Sequence, residues 1–109
     1  MSEDDLLRCV LDLAKVMGWR SFHARPAMTA KGYRTAVSGD GKGWPDLFMV
    51  RGDHVLVVEL KGDKGKPTPE QDAWLAALYL HCDNEQMVWR PADWRSGKIL
   101  ANLKDPVLS

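Results

Sequence analysis

Asp46 and Glu59 are acids set inside apolar runs, and Lys61 follows Glu59 by two positions. The surrounding stretch, WPDLFMVRGDHVLVVELKG at 44–62, otherwise reads as two apolar strands joined by a tight turn at Arg51, Gly52, Asp53 and His54. With Gly52 and Asp53 as a two-residue loop, Arg51 faces His54, Val50 faces Val55, Phe48 faces Val57, and Asp46 faces Glu59. Leu47 with Val58 and Met49 with Leu56 then occupy the opposite side, so both sides are apolar, as in a sheet covered on both faces. Opposed residues carry Cβ atoms roughly 4.5–5.5 Å apart, and like charges placed so repel. A carboxylate withdrawn from water either takes up a proton or finds a cation. Lys61, on the same face, neutralises one of the two. Glu3, Asp4 and Asp5 at the start of the chain can add a third acid, and a hard divalent ion such as Mg²⁺ then becomes a sensible partner. The spacing points to a metal site with a lysine beside it. Two plainer readings of the same residues stay open: Asp46 as a turn former after Pro45, and Glu59 with Lys61 as a solvent-facing ion pair on an edge strand. A one-residue slip or a bulge would put the acids on opposite faces.

The elements that must position these residues follow from periodicity. Leu6, Leu7, Val10, Leu13, Ala14 and Met17 have the spacing of an amphipathic helix, with Ser2 as N-cap and Gly18 as its stop. WRSFHA at 19–24 predicts a short strand. From Arg25 to Gly43 the chain carries Pro26, Gly32, Gly39, Gly41 and Gly43 with little periodicity, the mark of a long functional or mobile loop. Strands are expected at 46–50 and 55–60. Thr68 as cap and Pro69 at the first helical position open a helix through TPEQDAWLAALYLH, with Trp74, Leu75, Leu78 and Leu80 as its apolar contacts. QMVWR at 86–90 reads as a buried strand, and ADWRSGKILANL as a final helix weakened by Gly97. An order of helix, three strands, helix, strand and helix predicts a mixed α/β or α+β sheet with helices on its faces.

The chain has 109 residues, 45% hydrophobic and 28% charged, which describes one soluble globular domain over 1–109 with no sign of disorder or repeats. No apolar run approaches the roughly 20 residues of a membrane span, and the acidic start MSEDDLLRCV is unlike a signal peptide. Cys9 and Cys82 lack metal-ligand spacing and read as reduced, partly buried thiols, which suits the cytoplasm. Net charge is zero, which argues against a generic polyanion binder. The charges are uneven, however: Lys15, Arg20, Arg25, Lys31, Arg34 and Lys42 fall between residues 13 and 45 against the single acid Asp40. Such a basic arm can meet phosphate, although a solvated basic loop is the commoner outcome. His23, His54 and His81 are scattered without ligand spacing and read as structural or exposed.

The PD at 45–46 followed by ELK at 59–61 resembles the PD-(D/E)XK nuclease signature. Around it lie an acidic N-terminal helix closing on GW, the Gly-rich GDGKGWPDLFMVR, the block VVELKGDKGKPTPEQDAWLAAL and a terminal VWRPADW. Together these resemble the VRR-NUC family in its small standalone form from phages and bacteria, over nearly the whole chain. The resemblance implies a restriction-endonuclease-like α-β-β-β-α-β core with helices on both faces of a mixed sheet. It also implies a Mg²⁺-dependent DNA endonuclease, with Mn²⁺ as substitute, in the cytoplasm of a bacterium or an infected host cell. Residue by residue, it implies that Asp46 and Glu59 are metal ligands, that the Leu60 carbonyl completes the metal shell, and that Lys61 assists the attacking water. Gln71 matches the glutamine that begins the following helix and points toward the site, though Thr68 to Gln71 also fits a capping box. Glu3 is the first-ranked match for the acid on the first helix, with Asp5 as the other candidate. Standalone members are expected to pair as homodimers.

Phosphodiester hydrolysis needs a nucleophile in line with the leaving oxygen and charge stabilisation at phosphorus, which a divalent ion held by Asp46 and Glu59 would supply. Arg25, Lys31, Arg34 and Lys42 are the candidate phosphate contacts, with Lys64 and Arg51 as additions. Trp44 beside the site either stacks on a base or packs, and packing is the preferred reading. Branched or junction DNA is the expected substrate class, with junction resolution and flap or nicking activity as variants. The rival is a non-catalytic nucleic-acid-binding module that keeps the fold and uses its acids only as an ion-paired edge. No membrane partner and no small-molecule cofactor are expected.

Overall fold

The computed structural model describes residues 1–23, 27–29, 32–34 and 41–105, with backbone alone at 27–29 and 32–34. Helix α1 spans Glu3–Val16 and buries Leu6, Val10 and Ala14, one residue per turn along a single face. Its start is closed by a reciprocal cap in which Asp5 N–H donates to Ser2 Oγ at 3.1 Å and Ser2 N–H donates to Asp5 Oδ2 at 3.0 Å. At the other end Trp19 N–H returns to the Ala14 carbonyl at 2.9 Å around Gly18, whose φ of +85° suits glycine. That turn delivers Trp19 into the core and the chain into strand β1, Arg20–Phe22.

The stretch expected to lack regular structure carries a short antiparallel hairpin, β2 at Ala27–Thr29 and β3 at Gly32–Arg34. Met28 faces Tyr33 there, a local pairing that no longer-range periodicity would reveal. The rest of that expectation, and Arg25 and Lys31 with it, lies outside the described residues.

Strands β4, Leu47–Arg51, and β5, His54–Leu60, form the expected hairpin with the expected register: Leu47 faces Val58, Phe48 faces Val57, Met49 faces Leu56, Val50 faces Val55 and Arg51 faces His54. Gly52 carries a φ of +57° while Asp53 does not have positive φ, the signature of a two-residue loop with glycine first. The four-stranded sheet runs β1-β4-β5-β6, antiparallel until β6, Glu85–Trp89, adds in parallel to β5. The parallel step is made possible by the crossover helix α2, Pro69–His81. The protein is therefore mixed α/β.

One face of the sheet makes the core: Leu47, Met49, Leu56, Val58, Leu60 and Trp89 pack with Leu6, Val10, Ala14, Trp19, Ile99 and Leu103. The other face carries Phe48, Val57 and Glu59, and α2 lies over it through Gln86 Nε2, which donates to the Leu75 carbonyl at 2.7 Å. This cover is thinner than the apolar count of α2 predicts, for none of its residues is fully buried and Leu80 is 71% exposed. The final helix is two, α3 at Pro91–Arg95 and α4 at Lys98–Lys104, because Gly97 adopts a φ of +85° between them. Arg51 ties the two ends of this side together. Its guanidinium stacks on the Trp19 ring at 4.7 Å and donates to the carbonyls of Met17, Leu103 and Lys104 at 3.1, 2.7 and 2.8 Å. Arg51 is thus committed to helix ends rather than to phosphate. Among the described residues no helix is long and apolar enough to cross a membrane.

Candidate functional site

Asp46 stands one residue before β4, at the position that continues the hairpin register opposite Glu59. Its carboxylate is fixed from β5: Leu60 N–H donates to Asp46 Oδ2 at 2.8 Å. Within a strand residue the amide and carbonyl point to the same side, so the Leu60 carbonyl is directed toward Asp46 as well. The next amide alternates, and Lys61 N–H donates to the Trp89 carbonyl of β6 at 3.0 Å. Glu59 and Leu60 at the end of β5, with Lys61 just beyond it, thus present a carboxylate, a carbonyl and an ammonium at the open end of the β4–β5 hairpin.

Glu59 is fully buried on an interior strand, which removes the reading of a solvent-facing ion pair at a sheet edge. Among the described residues neither of its carboxylate oxygens has a hydrogen-bond partner. Its carboxyl is pushed up from 4.5 to about 8, first by burial, then by the charge of Asp46 and by hydrogen bonding with that carboxylate, while the Lys61 ammonium and the Asp46 amide pull it back. The oxygens lack a partner of sound geometry, so charge and burial are the causes that stand. A buried carboxyl with two unpartnered oxygens, facing a second carboxylate, fits a divalent cation by the chemistry of its donors.

The turn after Lys61 is held from below by Arg90, whose Nη1 donates to the carbonyls of Gly62 and Gly65 at 2.7 and 2.5 Å. Asp63 in the same turn accepts from Ala92 N–H at 3.0 Å and from Arg95 Nη2 at 3.2 Å, pinning it to the start of α3. The Lys61 stem runs past Gly65, where an added Cβ would lie 3.7 Å from Lys61 Cδ. Arg90 and Asp63 were not expected as contributors; Asp63 is signalled in sequence only by its proximity to the ELK run, and Arg90 comes from the distant VWRPADW run.

Before the site, the chain turns at Gly41–Trp44 and rests on the first turn of α2. Gly43 has a φ of +86°, and a Cβ there would come within 2.5 Å of the Glu70 backbone, so only glycine permits this approach. Trp44 packs, as preferred, stacked on Phe48 at 6.2 Å and edge-on to Trp74 at 5.0 Å. Lys42 forms an exposed ion pair with Glu70 at 3.3 Å, which it would exchange for any phosphate.

Gln71 performs the capping role: its Oε1 accepts from Thr68 N–H at 2.9 Å and its amide N–H donates to Thr68 Oγ1 at 3.2 Å. Glu3, Asp4 and Asp5 lie exposed in the first turn of α1, which packs on the core face, and Asp5 is engaged by its cap. Among the described residues no three His, Cys, Asp or Glu side chains gather closely enough to hold a metal ion, so Glu3 is not brought to the Asp46–Glu59 pair. Lys64 is exposed on the turn beyond Lys61, and the Arg34 side chain is outside the described residues. Of the histidines, His81 is exposed and His54 pairs with Glu85 at 3.2 Å. His23 Nδ1 meets the Asp46 carbonyl at 2.8 Å, a contact that its position in sequence does not announce. Cys9 is half-buried and Cys82 exposed, both free.

No protein-family model matches this chain, and no curated protein or solved structure is significantly similar to it.

Proposed function

We propose that the chain is a divalent-metal-dependent DNA endonuclease, as its VRR-NUC resemblance implies, acting on branched or junction DNA and built on a restriction-endonuclease-like core. The observation that carries this reading is Glu59, whose two oxygens are buried, unpartnered and opposed to Asp46. Such an arrangement is costly in an apoprotein and is relieved by a cation. The succession of α1, three strands of the main sheet, α2 and β6 supports the same reading.

Asp46, held by Leu60 N–H, and Glu59 bind the cation, and the Leu60 carbonyl adds a neutral oxygen. A bound Mg²⁺ supplies charge stabilisation at the phosphate and a more acidic water. Lys61, fixed by β6 and the turn clamped by Arg90, orients that water or stabilises the charge developing on phosphate. Arg25, Lys31, Arg34, Lys42 and Lys64 position the DNA backbone, and two copies pair as a homodimer.

The test is nicking of supercoiled plasmid and cleavage of four-way, flap and duplex DNA with and without Mg²⁺. Metal-dependent products that vanish in Asp46→Asn are expected, while intact substrate at every metal concentration would contradict the proposal. A non-catalytic nucleic-acid-binding module is favoured by one observation, the lack of a third acid joining the pair among the described residues. It predicts DNA binding without cleavage in the same assay.

A further inference from the structure

Asp46 lies beyond the last pair of both ladders it adjoins. The β1–β4 pairs end at Phe22 with Phe48, and the β4–β5 pairs end at Leu47 with Val58. Asp46 itself is therefore paired in neither ladder among the described residues, although the Leu47 amide of the same peptide sits at the last β4–β5 pair. Its carboxylate is tied to Leu60 N–H at 2.8 Å, and its carbonyl is the main-chain acceptor that remains to be satisfied.

His23, the residue after β1, meets that acceptor. Its Nδ1 lies 2.8 Å from the Asp46 carbonyl oxygen. A carbonyl only accepts, so Nδ1 carries the proton and the neutral ring has its lone pair on Nε2. The half-buried imidazole thus extends the β1–β4 pairing by one step, with a side chain in place of a main-chain amide. A shift of the Asp46 main chain would move the Asp46 carboxylate relative to Glu59.

We infer that His23 is a positioning residue for the acid pair, fixing the Asp46 peptide through Nδ1–H so that both carboxylates point at one cation. The inference rests on the metal-site reading proposed above. Outer partners of ligating groups typically contribute a factor of about 10–100 in metal affinity, and a comparable loss is expected without this one.

Asn and Leu are nearly the same shape, and Asn alone keeps a donor near the place of Nδ1. Calorimetric or paramagnetic-resonance titration of Mn²⁺ into wild type, His23→Asn and His23→Leu separates the donor from bulk packing. His23→Leu is expected to bind Mn²⁺ about 10–100-fold more weakly, and His23→Asn to recover most of that loss. Equal affinity of His23→Leu and wild type would overturn the positioning role alone. Absence of Mn²⁺ binding by wild type would overturn the metal-site reading and this role with it. Nitrogen NMR of the wild-type imidazole at pH 8 needs no variant: the Nδ1–H tautomer supports the role, and the Nε2–H tautomer overturns it even where His23→Leu fails to fold.

Discussion

At the scale of single residues, the chemistry concentrates in Glu59. Its folded-state carboxyl titrates at about 8 against an ordinary 4.5, so the folded protein holds more protons than the unfolded chain between those values. Stability is therefore highest below about pH 4.5 as far as this group is concerned, falls as pH rises toward 8, and levels off above it. Glu59→Gln keeps the volume and removes the charge. Its thermal midpoint at pH 8 should exceed that of the metal-free wild type by at least about 5 °C, one kcal/mol being worth roughly 4–8 °C in a domain of this size. A midpoint equal to or below wild type would show that Glu59 is not held at a cost. Lys61→Ala should abolish Mg²⁺-dependent nicking and leave DNA binding intact, and undiminished nicking would remove Lys61 from the reaction. The register that sets Asp46 against Glu59 was legible from the sequence once Gly52 and Asp53 were taken as the loop, while a slip or a bulge stayed open until the β4–β5 pairing was seen. His23 was not, for it reaches Asp46 from a strand 23 residues away whose pairing no local pattern reveals.

At the scale of elements, two glycines make a controlled comparison. Gly43 and Gly97 have φ of +86° and +85°, so an alanine at either bears the left-handed strain of roughly 1–2 kcal/mol. At Gly97 the added Cβ meets nothing within 4 Å, whereas at Gly43 it meets the Glu70 backbone at 2.5 Å. Gly43→Ala should therefore destabilise more than Gly97→Ala in urea melts, and should also weaken cleavage, because the displaced loop carries Trp44 and leads into Asp46. Equal losses, with activity untouched, would mean that the loop tolerates lifting off α2. Helix ends were readable in advance where caps are chemical, as at Ser2, Gly18 and Thr68. Gly97 was read as a weakness inside one helix and is instead the boundary between two. Propensity gives the cost of a glycine there, not whether the chain takes the left-handed turn that the packing of Ile99 and Leu103 against α1 demands.

At the scale of the whole molecule, zero net charge leaves DNA affinity to the uneven placement of cations. Each phosphate contact steepens the logarithmic salt dependence of binding by about 0.9, so neutralising Lys31, Arg34 and Lys42 together should flatten it by roughly two to three. An unchanged slope would move the DNA elsewhere on the surface. The β4–β5 hairpin and the helical crossover were legible from hydrophobic periodicity, whereas the commitment of Arg51 to three helix-end carbonyls depends on how the chain ends converge, which no window of sequence contains. The account as a whole turns on whether Asp46 and Glu59 bind a divalent ion. Calorimetric titration of Mn²⁺ at pH 7 into wild type and Asp46→Asn, in two buffers of different ionisation enthalpy, tests this most directly. Because Glu59 is mostly protonated at that pH, saturable binding with release of close to one proton is predicted for the wild type and loss of binding for Asp46→Asn. No binding to the wild type, or binding indifferent to Asp46→Asn, would contradict it.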